Sequence, residues 1–450
     1  MQNISLWQWI LVIASSLVLL AISPIARSSS DFFQATRRNK QQPGLWLLTS
    51  SLVISWIFAK SITNAANLGL SYGIVGGVAY ATYYLSFLFA GVIIFKLRVK
   101  GRYDSIHHFL NSKFGGGAVI LFSLLIAFRL FNEVWSNTIV IGSYFGDAGS
   151  QPYYLAIVVF TFLTLLYSLK GGLSSSMLTD AIQMVLFAVL LIVILGVILP
   201  DSDGVSTYFS SGEWSLSGGV DLLLVALIQS ISYPFHDPVM TDRGFITNPQ
   251  TMRKAFYWAV PIGFVCIVLF SFIGVYASQQ GLEGQAAVEV AQSLGIVSML
   301  VINLIMITSA SSTLDSAFAS FSKLIAFDLK IGKASVSSGR LVMIVIAVLG
   351  TIPVFFDPAI LSATTISGTM VIGLAPVFVF WHWRMHRMAF LVTVLTGIGF
   401  GIWFATGYYP EQWVFFQGNY GDLLSVNLIG TICCFLIFMV FKRRGDGLAV

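Results

Sequence analysis

Charge is what this chain is short of. Asp, Glu, Lys and Arg make up 10% of its 450 residues, against about 25% in a soluble globular protein, while 57% are hydrophobic. Most of the surface therefore cannot face water. The net charge of +5 sits in short loops between apolar runs and reports topology; it is not the basic face of a nucleic-acid-binding protein. Cysteine is scarce as well. Cys266, Cys433 and Cys434 all lie in apolar runs, so neither a disulfide framework nor a cysteine metal site is indicated. No P-loop, Rossmann fingerprint or zinc-protease motif occurs, which argues against ATP-driven transport and against an enzyme. No basic segment precedes the first apolar run, and Arg27 follows it, so that run reads as a retained span and not a cleaved signal peptide.

What is present is a succession of apolar runs near or above 18 residues, the length that crosses a bilayer core of ~30 Å. Thirteen are expected, near 5–23, 46–70, 74–95, 118–145, 152–169, 177–199, 219–235, 255–277, 295–325, 340–355, 358–381, 388–406 and 423–441. The chain reads as one all-α polytopic membrane domain: an extra N-terminal helix and loop (1–45), a core (46–385) and two C-terminal helices (386–450). Loops after odd-numbered runs hold the basic residues: Arg27, Arg37, Arg38 and Lys40; Lys96 to Lys113; Lys170; Arg243, Arg253 and Lys254; Lys323, Lys330, Lys333 and Arg340; Arg384 and Arg387; Lys442, Arg443 and Arg444. Loops after even-numbered runs carry Asp147, Asp201, Asp203, Glu213, Glu283, Glu289, Asp357 and Glu411 instead. By the positive-inside rule the N-terminus is outside and the C-terminus cytoplasmic, in a cell membrane of the bacterial inner-membrane kind.

Lys60, Arg129, Glu133 and Asp315 fall at membrane depth, and Asp180 stands at the cytoplasmic start of the sixth run. Ionisable groups there are costly unless paired or hydrated, so each is a candidate functional residue. The second run, SWIFAKSITNAANLGLSYG, carries Lys60, Ser61, Thr63, Asn64 and Asn67 in its middle, a series no lipid-facing helix needs. The seventh, LIQSISYPFHD, places Gln229, Ser230, Ser232 and Tyr233 before Pro234, which removes a backbone donor and frees a carbonyl. Two interrupted helices five runs apart, and so antiparallel, match inverted repeats around a midplane site; packing through small polar residues is the plainer account.

The ninth run, NLIMITSASSTLDSAFASFSK, sets Thr308, Ser311, Ser312 and Asp315 on one helix face. Hydroxyls and freed carbonyls are the oxygen donors that hard cations prefer, and Asp315 adds a charge that packing does not require; serines bonding back to their own helix are the alternative. Between the fifth and sixth runs, YSLKGGLSSSMLTDAIQ, Gly171 and Gly172 break the helix and Asp180 enters with Thr179 and Gln183. Asp180 is either a functional carboxylate or a helix N-terminal charge favoured by the macrodipole. Arg129 and Glu133, at i and i+4, read as a structural pair. His382 and His386 adjoin Arg384 and Arg387 and do not read as a metal site.

Four pieces, DFFQATRR, YSLKGGL…LTDAIQ, DRGF and ASSTLDSAFASFSK, occur here in an order and spacing that resemble the sodium/solute symporter family. The second run and the NSKFG loop also look like its urea-transporting branch. The resemblance implies about 13 transmembrane helices with a five-plus-five inverted-repeat core, sodium as the coupling ion and a small-molecule solute as partner. It implies a sodium site from the carbonyls of Trp56, Ala59 and Ile305 and the hydroxyls of Thr308 and Ser309. A further sodium is implied at Asp180, Ser311 and Ser312, with Thr308 shared, and a gating role for Tyr233. Lys60, Thr63, Asn64, Thr82 and Ser230 are the remaining candidates for solute contact. Lys60 stands where the family has a small residue. Its ammonium can meet an anionic solute, replace a coupling cation, or pair with Asp180 or Glu133 as a strut. The third run, YATYYLSF, lacks the family's sugar-binding polar residues, so a sugar is disfavoured and an amino acid or carboxylate is the expected solute. The competing readings are a transporter-like solute sensor and a proton-coupled permease acting through Lys60.

Overall fold

The computed structural model describes residues 2–35, 42–201, 204–356 and 367–443. The loop charges Arg37, Arg38, Lys40, Asp203, Asp357 and Arg444, the end of the DFFQATRR motif and the first part of the span expected at 358–381 lie outside them.

The described chain is helical throughout. A membrane-length helix, α1 (Gln2–Ile22), and a short one, α2 (Ser29–Gln34), precede the core. The first core span is interrupted: α3 (Leu45–Ile54) stops, residues 55–58 are non-helical, and α4 (Ala59–Ala81) resumes. A 3-10 turn leads into α5 (Leu85–Val99). Then come α6 (Ile106–Phe114), α7 (Gly116–Ser143), α8 (Gln151–Gly171), α9 (Leu173–Ile198) and the short α10 (Val205–Phe209). The seventh span is the second interrupted one: α11 (Asp221–Gln229), a turn and a 3-10 segment (Tyr233–His236), then α12 (Pro238–Arg243). It is followed by α13 (Pro249–Gln279), α14 (Ala286–Ser293), α15 (Ile296–Lys323), α16 (Val336–Thr351) and α17 (Leu374–Val379). The chain ends on α18 (Met388–Ala405) and α19 (Gly421–Val440).

Among the described residues ten helices are long and apolar enough to cross a membrane, against thirteen expected. The difference has three sources. Spans two and three run on as one helical stretch, Ala59–Val99; span seven is split, leaving the short apolar stretch Leu216–Gln229; and span eleven begins outside the described residues. The reversal inside Ala59–Val99 is at Gly73, whose φ of 62° is open to glycine and strained for other residues. A Cβ there would lie 2.5 Å from the carbonyl carbon of Ser211, and the next amide, of Ile74, donates to Ser211 Oγ at 2.9 Å.

Helix α13 packs closely along α4 because the contact is made of glycines. A Cβ on Gly274 would come within 1.8 Å of the Ala66 carbonyl oxygen, and one on Gly69 within 2.1 Å of that of Ser271. Small residues let transmembrane backbones approach where no hydrophobic gradient drives association. The outer faces are apolar: on α9, Val185, Val189 and Ile192 are all more than half exposed. The polar residues of the sequence motifs turn inward.

Candidate ion and solute site

The two interruptions meet at the centre of the molecule. The Trp56 ring, in the first break, stands edge-on to Tyr233 of the second at 5.8 Å between centroids, and its Nε1 donates to Asp237 Oδ2 at 3.0 Å. Asp237 precedes α12 and caps it through the Met240 amide. Helix α7 runs behind both breaks. Its Arg129 donates through Nη2 to Asp237 at 3.2 Å and forms an ion pair through Nη1 with Glu133, one turn on. Glu133 also accepts from Lys60 Nζ at 2.8 Å and from Asn137 Nδ2 at 2.9 Å. Lys60 Nζ donates further to Ser136 Oγ at 3.1 Å. All four charged groups are buried, and two cations face two anions.

Of the readings open for Lys60, the one observed is the pair with Glu133. Arg129 and Glu133 pair as expected from their spacing, with Asp237 as a third member. Thr63 donates back to the Ala59 carbonyl at 3.2 Å and Asn64 donates to Tyr80 Oη at 3.2 Å. Thr82 and Ser230 bond to the carbonyls of Val78 and Leu227 in their own helices. Tyr233 lies under the Arg129 guanidinium at 5.1 Å.

The hydroxyl-rich stretch of α15 faces the first break. Ser309 Oγ donates to the Ile57 carbonyl there. Thr308 beside it, and Ile305 one turn earlier, are buried. The Trp56 carbonyl accepts from Tyr84 Oη at 2.8 Å, so Ile57, one residue on from the expected Trp56, meets the serine.

Asp180 of α9 lies in a second cluster. It accepts from Ser51 at 2.5 Å and Ser55 at 3.2 Å on α3 and its end, and from Ser312 at 2.5 Å on α15. It also accepts from the Arg243 guanidinium at 2.9 Å. Arg243 donates to Ser51, Ser55 and Ser316 as well, so a tethered cation already pairs with the carboxylate expected to hold a second sodium. Ser311 turns elsewhere, accepting from Gln183 Nε2 at 2.7 Å, and Asp315 accepts from Thr179 Oγ1 at 2.8 Å.

Sequence reasoning missed Arg243 and Asp237. Both follow Pro234, and Arg243 was counted as a cytoplasmic loop charge. The available signal was its place in the DRGF motif, which the resemblance had already set apart.

Two vestibules flank the central cluster. One, of about 840 Å³, includes Thr63, Asn64, Ile139, Ser143, Asp147 and Glu289 in its lining. The other, of about 670 Å³, includes Ile126, Pro238, Thr241, Asp242, Lys323 and Asp328. Along α7, Ile126 faces one and Ile139 the other, with Arg129 and Glu133 between them. Thirteen residues of helix rise about 20 Å, so the four charges form the plug between two openings.

This arrangement, two broken helices around a buried polar centre, can be set against known proteins. The sodium:solute symporter family model matches this chain over residues 32–223. The resemblance read from the motifs is thereby shown, over the stretch that carries DFFQATRR and YSLKGGL…LTDAIQ. Sodium/myo-inositol cotransporter 2 from Bos taurus is 24% identical over 215 residues, 45% of this chain and 32% of that protein. Its Mus musculus counterpart is 24% identical over 147 residues, 31% and 22%. The matches thus span a third or less of those relatives. In fold, a Na⁺-coupled sialic acid symporter in a substrate-bound outward-open state superposes with a TM-score of 0.73 at 17% identity, covering 98% of both chains. A nucleobase-cation-symport-1 family transporter in a closed conformation gives 0.57 at 13%, covering 93% of each. The structure of MhsT with L-phenylalanine gives 0.60 at 12%, covering 89% of this chain and 99% of that one. These likenesses establish the transporter fold with its inverted-repeat core.

Proposed function

We propose that this protein is a sodium-coupled secondary carrier, not an enzyme, that imports a small polar organic solute by alternating access. The observation that carries the reading is the meeting of Ser309, with Thr308 beside it, and the open backbone at residues 55–58. Carbonyls at a helix break and hydroxyls on a facing helix are oxygen donors suited to a hard cation. Thr308, Ser309 and the carbonyls of Ile57, Ala59 and Ile305 are the ligands proposed for sodium. Moving one such charge inward across 100 mV supplies ~2.3 kcal/mol before any concentration gradient is counted.

The solute follows from the charge balance. Lys60 favoured a carboxylate only while its ammonium was free, and it is shared with Glu133. A cluster of two cations and two anions favours a solute of zero net charge, so a zwitterionic amino acid stands ahead of a simple carboxylate. Among the similar proteins two are named for myo-inositol and a sialic acid and a third was solved with L-phenylalanine, which do not converge on one solute. The test is uptake into proteoliposomes from a panel of amino acids, carboxylates and polyols, with and without an inward sodium gradient. Sodium-stimulated uptake of a net-neutral solute is expected. Uptake that ignores sodium and follows pH would overturn the coupling and favour a proton carried at Lys60–Glu133.

A further inference from the structure

Away from the central site, a crevice of about 990 Å³ opens where α5 and α19 end, between α6 and residues 381–385. Its lining includes Lys96, Lys100, Arg102, Lys113, Arg384 and Arg443, and no Asp or Glu. Among the described residues none of these six forms an ion pair with a carboxylate. A bias of basic loops to one side does not by itself produce this. The vestibule lined by Lys323, on the same basic-loop face, also holds Asp104, Asp242 and Asp328, and Lys323 is bound to two of those carboxylates.

The crevice is built from paired backbone. Met385 and Lys442 form an antiparallel bridge, the His386 amide donates to the Phe441 carbonyl at 2.9 Å, and the Arg443 amide to that of Arg384 at 3.1 Å. The Trp383 ring is stacked on Phe380 at 3.8 Å and carries Lys442 Nζ at 4.2 Å on its face. Lys113 Nζ donates to the Trp381 carbonyl; burial pushes its ammonium down to about 8, which still leaves it charged at neutral pH. Trp381 and Trp383 are half-buried at the rim, the residue type that gathers at the membrane–water boundary. Above the crevice, α19 presents an exposed apolar column of Ile432, Leu436 and Val440, the last 81% exposed, at the i, i+4 spacing of one helix face.

We propose that this crevice binds the phosphate headgroup of an anionic phospholipid from the leaflet next to the basic loops, with its acyl chains along the α19 column. Guanidinium forks and ammonium groups are the usual donors to phosphate oxygens, and basic pockets between spanning helices on the cytoplasmic side recognise anionic headgroups. Free phosphate offers the same oxygens, but it has nothing to lay along an exposed apolar helix.

The test uses the full chain in nanodiscs of zwitterionic phosphatidylcholine, titrated with phosphatidylglycerol or cardiolipin, and in a separate arm with inorganic phosphate. Thermal melting and native mass spectrometry of retained lipid are the readouts. Anionic lipid is expected to raise the melting temperature and to remain bound, with the effect fading at about 0.5 M salt, where charges are screened within a few ångströms. Phosphate alone should do neither. The exposed-residue variant Lys96→Gln/Lys100→Gln/Arg384→Gln should weaken the lipid effect by at least about tenfold and melt like the parent in pure phosphatidylcholine. Lys254→Gln/Lys330→Gln/Lys333→Gln, which removes as much charge elsewhere on that face, should change nothing. If the triple variant misfolds, Lys96→Gln and Arg384→Gln are read singly. Equal loss in both triple variants, an equal response to phosphate, or no preference for anionic lipid would each overturn the proposal.

Discussion

At the scale of single residues, the central question is what four buried charges do. Glu133 accepts from Lys60 and Asn137 and forms an ion pair with Arg129, so removing its charge strands Lys60 away from water and leaves Arg129 with Asp237 alone. Breaking a buried pair by deleting one partner costs about 3–5 kcal/mol. Glu133→Gln should therefore lower the melting temperature sharply, and adding Lys60→Met should recover much of the loss, because Arg129 keeps Asp237. A double variant that melts no higher than Glu133→Gln would mean the pair is not the source of the stability. The same logic separates the two sodium assignments. Thr308→Ala and Ser309→Ala delete hydroxyls, not charges, so folding should survive while sodium activation of uptake weakens about 5- to 30-fold (about 1–2 kcal/mol for a lost ligand of this kind). Asp180→Ala leaves Arg243 buried without a carboxylate, so it should lose stability first, and Arg243→Ala in the same chain should restore it. If Asp180→Ala melts like the parent and loses only sodium activation, Asp180 is an ion ligand and Arg243 is incidental. The sequence marked Lys60, Arg129, Glu133 and Asp180 because charge at membrane depth is anomalous whatever its partners. It did not mark Asp237 and Arg243, because a residue just past a broken helix looks like a loop residue until the chain is seen to turn back inward.

At the scale of elements, the fold was legible wherever the local chain breaks its own pattern. Pro234 and the Gly171–Gly172 pair each announced an interruption and coincide with one, whereas the polar insert at 60–67 lies within α4 and the break falls just before it, at residues 55–58. The reversal at Gly73 was read only as a gap between two runs, since a single glycine in an apolar stretch carries no direction; what fixes it is Ser211, distant in sequence. The α4–α13 contact was not legible either. Gly69, Gly77 and Gly274 do not differ in sequence from glycines that face nothing, such as Gly196 on α9. That contrast predicts opposite outcomes for similar changes. Gly274→Val should abolish a monodisperse, folded species in detergent, because its Cβ would lie inside the Ala66 carbonyl and the backbones would have to separate. Gly196→Ala should match or slightly exceed the parent in melting temperature, since alanine is the better helix former by about 1 kcal/mol. Size-exclusion profiles and melting curves of the two variants decide it; a well-folded Gly274→Val would show that α13 does not seat on α4 as described.

At the scale of the whole molecule, two vestibules separated by one plug define what must move. The plug is attached to both halves of the inverted repeat: Lys60 belongs to the first interrupted helix, Asp237 to the second, and Arg129 and Glu133 of α7 hold one of each. Opening either vestibule to the centre requires the broken helices to shift against α7, and a packed interface of this kind has discrete arrangements, not a continuum. Accessibility from the two sides should therefore be exclusive. Thr63 lines one vestibule and Thr241 the other. With Cys266, Cys433 and Cys434 replaced by serine, Thr63→Cys and Thr241→Cys should be labelled by membrane-impermeant reagents from opposite faces of oriented vesicles. On the orientation proposed from the basic loops, reagent reaching Thr241 is expected to come from the cytoplasmic face. Sodium that favours one arrangement must bind it more tightly, so its addition should raise labelling at one position and lower it at the other. Labelling of both positions that rises or falls together would describe a channel or a loosened structure and would remove the basis for alternating access.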